Sequence, residues 1–193
     1  MLFLQGNNLK YMENSIFLIK WYGPFKNRTE VQEWEETHKS IKCSLYLLHG
    51  KVKYAKTSEK YYCGKSLRNV YERLGDKGHH IKEIEDRLSS IYVGCLSNIK
   101  HLTDSQIRLA EKIITASLTD IVGESCVLNR TNTYFPDESV FVINEWWKTN
   151  AESIWVRLPK NSPSNIVPDV LVYHLKGKDD FELFGCKKLK RLL

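Results

Sequence analysis

The chain has 193 residues, 42% of them apolar and 11% aromatic, with a net charge of +6. This fits one domain with additions or two small ones, and it excludes wholesale disorder. Residues 50–82 hold nine Lys/Arg against three Asp/Glu, so the whole excess of +6 sits there and the remainder sums to zero. A polyanion is the partner class such an asymmetry favours.

Five cysteines, Cys43, Cys63, Cys95, Cys126 and Cys186, are widely spaced and form no CxxC pair. Neither a disulfide framework nor a zinc site follows, and reduced thiols in a cytoplasmic protein are expected. The opening "MLFLQGNNLK" is too short and polar for a signal peptide or a membrane span, and no membrane partner is expected.

Residues 1–43 read as a strand-like piece, "SIFLIKWYGPF", and an acidic helix near Thr29–His38, with Thr29 as its cap and Gln32 at the third helical position. Residues 44–48 suit a strand, and "KYYCG" (60–64) a second, which a Gly-containing loop joins into a hairpin. A helix "SLRNVYERL" should follow, capped by Ser66 and striped by Leu67, Val70 and Leu74. "GDKG" breaks the chain, "HIKEIEDRL" forms a short helix burying Ile81, Ile84 and Leu88, and "SSIYVGCLS" forms a third strand. "TDSQIRLAEKIITASL" is the clearest helix, opened by a Thr103/Gln106 capping box. Residues 136–193 hold four of the five prolines and read as strands and loops.

One helix carries a carboxylate in its apolar stripe. Glu111 lies four after Ile107 and three before Ile114, and an ionised acid there is costly unless a cation, a metal or water meets it. The stripe also admits a plainer reading, a salt-bridged Glu at its edge. Tyr46 and Tyr62, on adjacent strands, also suit a plain core, and His79 and His80 a surface helix start.

Taken in order, "SLY" (44–46), "YCG" (62–64), Arg73, His79 and His80, Glu111 and Asn129 resemble the motif set of the GIY-YIG nuclease superfamily across about residues 44–132. Ser44 replaces the first Gly, Cys63 the middle residue of the second motif, and several spacers are longer than the family's.

The resemblance implies an α+β fold with a small three-stranded antiparallel sheet flanked by helices. Residues 44–135 would be the nuclease core, 1–43 an N-terminal extension, and 136–193 a C-terminal extension for target recognition or oligomerisation. It implies a divalent-metal-dependent endonuclease hydrolysing phosphodiester bonds in DNA, of a restriction, phage-defence or mobile-element type; RNA also fits, and monomer and homodimer stand open. Glu111 would hold one Mg2+ (or Mn2+) ion, Arg73 would grip the phosphate, and Tyr46 would activate water, helped by His79, His80 or Lys65. Tyr62 would orient water or phosphate, and Gly64 and Asn129 would be structural. Lys65, Arg68 and Lys77 would contact the nucleic-acid backbone. The alternatives are a catalytically inactive nucleic-acid-binding module on the same fold and a protein adaptor using the Trp-rich "NEWWKTNAESIWV".

Overall fold

The computed structural model describes residues 14–54, 59–129, 136–156, 162–177 and 180–186. Strand β1 (Asn14–Phe25) turns Phe17, Ile19 and Trp21 to one face, the period of two expected of a strand lying on a core. Helix α1 (Arg28–Thr37) follows, capped by Asn27, whose side chain accepts from the Glu30 N–H, rather than by Thr29. Asn27 is the better-placed acceptor because it adopts the extended backbone a cap requires, one residue before the first helical turn.

Strands β2 (Leu45–Lys51) and β3 (Glu59–Lys65) pair antiparallel, with Tyr46 opposite Gly64. Residues 45–50 of β2 and 61–64 of β3 are buried without a break because helices cover both faces of the hairpin. The helix expected from Ser66 is shorter. Helix α2 spans Val70–Leu74, because the Ser66 hydroxyl bonds the backbone of Arg68 in a local turn. Leu67, expected in its stripe, is 74% exposed. The α2 N–H groups of Val70 and Tyr71 are instead capped by the Glu35 carboxylate, at 2.9 and 3.0 Å.

Helix α3 (Ile81–Ile84) runs through a 3-10 turn into β4 (Leu88–Leu96). Helix α4 (Asp104–Val122) begins at the Thr103/Gln106 capping box. The last strands are β5 (Ser139–Trp147), β6 (Val170–Gly177) and β7 (Asp180–Cys186).

The expectation of a small three-stranded antiparallel sheet is overturned. All seven strands form one mixed, curled sheet in the order β3-β2-β4-β1-β5-β6-β7. β2 pairs antiparallel with β3 on one side and β4 on the other, but β4 pairs onward with β1, and β1 pairs parallel with β5 from Asn14↔Ser139 to Tyr22↔Trp147. The physical reason is the free edge of β4. An apolar strand with open N–H and C=O groups is a pairing template, and β1 occupies it. The sheet therefore crosses both boundaries placed at 43/44 and 135/136.

Two cores result. α4 packs Ile107, Ala110, Ile113, Ile114 and Leu118 on the face that carries Leu45, Leu47 and Cys63, while α1, α2 and α3 cover the opposite face at Tyr46, Leu48 and Tyr62. Of the Trp-rich segment, Trp146 is core, stacked on Trp21 at 5.9 Å, and Trp155 donates to the Gly23 carbonyl. No helix among the described residues is long and apolar enough to cross a membrane.

Candidate active site

The hairpin register places Tyr46 beside Gly64, and α3 brings His79 over both tyrosines. Ring centroids lie 5.9 Å apart for Tyr46–Tyr62, 5.4 Å for Tyr46–His79 and 5.6 Å for Tyr62–His79, with His80 5.1 Å from Tyr62. Room for this cluster depends on Gly64. A Cβ there would stand 2.3 Å from the Tyr46 hydroxyl and 2.5 Å from the Tyr62 ring. Gly64→Ala is expected to cost about 1–3 kcal/mol, read by urea unfolding, because the ring it displaces is fully buried.

The central contact joins Tyr46 Oη and His79 Nε2 at 2.7 Å. Its direction follows from the other ring nitrogen. The Ile81 N–H donates to His79 Nδ1 at 2.9 Å, so Nδ1 holds a lone pair. Burial first, then the charges of Arg73 and His80, push the His79 pKa down to about 4, and the ring is neutral at physiological pH. Its one proton is therefore on Nε2, and His79 donates to the Tyr46 oxygen. This disfavours the role of proton acceptor from Tyr46, since that would need both ring nitrogens stripped.

The Tyr46 phenol is held well above its ordinary range, by burial and then by Tyr62, with Arg73 acting against both. Arg73 Nη1 donates to Asp76 Oδ2 at 2.7 Å, and its charge reaches Tyr46, Tyr62 and Glu111. Asp76 also takes Arg68 on both carboxylate oxygens, at 2.5 and 2.6 Å. Lys65 is drawn to Asp104, which also meets Arg108. His80 pairs with Glu83 at 2.6 Å, and Lys77 is exposed. Asn129 grips the outer edge of β3, accepting from Cys63 N–H at 3.1 Å and donating to its carbonyl at 2.6 Å.

Glu111 is 9% exposed on α4, in the stripe with Ile107 and Ile114. Burial pushes its pKa up to about 7, opposed by Lys65, Arg108 and Arg73. It lies on the α4 face of the edge strand β3, whereas the phenols lie on the other face. Among the described residues no hydrogen bond joins Glu111 to either phenol, and the coupling is through the field of its charge on Tyr62 and Arg73.

Among the described residues no group of three His, Cys, Asp or Glu converges to hold a metal. A protein cage is thus absent there, and Asp104 is already engaged by two cations. A lone buried carboxylate, half ionised near neutrality, fits the mode in which Mg2+ keeps most of its waters and takes one protein oxygen.

Three contributors went unread in the sequence. Asp76 sits in the break "GDKG", where its spacing of three from Arg73 is the only signal of the ion pair. Asp104, four before Arg108 in the first turn of α4, pairs with Lys65 as well. Glu35 falls at the helical spacing of Val31 and Trp34, an acid on a buried face that signals a partner. No protein-family model, no curated protein and no solved structure matches the chain.

Proposed function

We propose that this protein is a divalent-metal-dependent endonuclease that hydrolyses phosphodiester bonds in DNA, using a GIY-YIG-like set of side chains. The supporting observation is the Tyr46–His79 hydrogen bond of 2.7 Å, set beside Tyr62 and within the field of Arg73. A phenol, a guanidinium and a carboxylate of raised pKa near one sheet edge are groups that can activate water, hold a phosphate and take a metal ion in phosphodiester hydrolysis.

Glu111 would hold the metal ion, whose charge, when bound, offsets that building on the phosphate and the leaving oxygen. Arg73, steadied by Asp76, binds a non-bridging phosphate oxygen. Tyr46 enters the reaction as a neutral phenol. Its oxygen takes a proton from the attacking water as the phenolic proton passes to a non-bridging oxygen of the phosphate, and His79 Nε2–H and Arg73 stabilise the charge that builds on the phenol oxygen between the two transfers. Tyr62 and His80 close the outer side of the cluster and orient that water.

One observation favours a second reading, an inactive nucleic-acid-binding module. Tyr46 has 0% exposed surface, so water reaches it only after Tyr62 or His79 shifts. Incubation with supercoiled plasmid, with and without Mg2+, decides between the two. The nuclease reading expects Mg2+-dependent nicking that Tyr46→Phe abolishes. DNA binding without nicking by the wild type selects the inactive module.

A further inference from the structure

Where β2 begins and β3 and β4 end, a cleft of about 1110 Å³ opens beside the cluster. Its walls come from three places: the segment after α1 with Lys39, Ser40 and Lys42, the turn 66–69 with Arg68, and the β4–α4 connection with Lys100 and His101. Lys20 completes the cationic lining from β1. Five cations therefore meet two carboxylates, Glu35 and Glu36. Both acids are engaged, Glu35 by the N–H groups of α2 and Glu36 by the Gln32 amide. Lys39, Lys42 and Lys100 are exposed.

A second observation points to a ligand. Ser44, which also lines this cleft, is 7% exposed, and its hydroxyl has no hydrogen-bond partner. A buried hydroxyl with no partner destabilises the fold unless a ligand supplies the missing hydrogen bond. Ser44 directly precedes β2, two residues before Tyr46, and its carbonyl accepts from Ser66 N–H at 2.8 Å.

We infer that this cleft binds the phosphate backbone of duplex DNA, with Ser44 Oγ donating to a phosphate oxygen and Lys39, Lys42 and Lys100 neutralising neighbouring phosphates. Lysines on separate elements around an open cleft suit an extended polyanion; a single bound anion calls for a closed nest of donors. Two lining residues tie the cleft to the cluster: Ser44 stands two residues before Tyr46, and Arg68 shares the Asp76 carboxylate with Arg73. The inference rests on the reading of that cluster as a phosphodiester-cleaving site.

The test is fluorescence anisotropy with a labelled DNA duplex across a salt series. The triple variant Lys39→Ala/Lys42→Ala/Lys100→Ala is expected to flatten the slope of log K against log salt by about 2–3, at about 0.9 per lost phosphate contact. Ser44→Ala is expected to weaken binding several-fold with the slope unchanged, since a hydroxyl releases no counterion. Lys26→Ala/Lys82→Ala, outside the cleft, is expected to leave the slope within about 0.5 of wild type. A triple variant with the wild-type slope overturns the inference, as does a slope change seen with single-stranded RNA and not with the duplex. Nicking separates this from the parent reading. If wild type fails to nick but the triple variant shows the flattened slope, the cleft stands and the nuclease falls. If wild type nicks and the triple variant binds as it does, the cleft alone falls.

Discussion

Glu111→Gln is expected to slow Mg2+-dependent plasmid nicking by about 10²–10³-fold while making the folded chain more stable at pH 8. Both effects come from one feature, a carboxyl kept out of water on a helix stripe that otherwise carries Ile107 and Ile114. In the folded protein the acid holds its proton up to about pH 7, against a usual value of 4.5. Between those two values the folded chain keeps a proton that the unfolded chain has released. Folding stability therefore falls as pH rises through that window and stays lowered above it. Gln keeps the shape and removes the charge, so it should gain on the order of 2 kcal/mol at pH 8 and nothing near pH 4. Urea unfolding of both proteins at the two pH values reads the difference. An equal gain at both would mean that ionisation of Glu111 carries no cost in the fold. Added Mg2+ should raise the Tm of the wild type at pH 8 and leave the variant unmoved, a readout that does not depend on turnover.

An acid that destabilises its own fold marks where sequence pattern and structure part. Glu111 was legible because it broke a periodicity that its neighbours kept. The Thr103/Gln106 cap was legible because both partners sit within one helical turn. The proximity of Tyr46, Gly64 and Tyr62 was legible because a hairpin register is local. What was hidden depends on distant partners. Nothing within residues 14–25 says that they lie between β4 and β5, since the pairing with residues 139–147 spans more than a hundred positions and is chosen by the open edges of other strands. Helix α2 looked longer because Leu67, Val70 and Leu74 keep helical spacing. Its true start is fixed by Glu35, on a helix 35 residues earlier. The Asp76 bridge between Arg68 and Arg73 needed the bend after α2 to bring its carboxylate round to both cations.

The second large effect separates two roles for His79. A hydrogen-bond donor and a proton acceptor at this position respond oppositely to an amide. His79→Gln offers an N–H to the Tyr46 oxygen but has no basic nitrogen, whereas His79→Ala offers neither. If His79 acts as the donor that its Ile81 contact dictates, His79→Gln should retain nicking within about tenfold of wild type and His79→Ala should lose about 10²–10³-fold. If His79 accepts the proton of Tyr46, the two variants should be equally inert. The pH profile gives an independent reading. With its pKa down at about 4, His79 does not titrate where Glu111 does, so the rise in rate with pH should centre near 7 in both wild type and His79→Gln. A rise that moves or vanishes in His79→Gln would assign the titration to the imidazole. Stability supplies a third measure. The unfolded imidazole takes up a proton below about pH 6.5 while the folded one stays neutral to about 4, so His79 contributes an acid destabilisation that opposes the Glu111 effect, and His79→Gln should make stability rise more steeply than in the wild type as pH falls from 6.5 to 4.5.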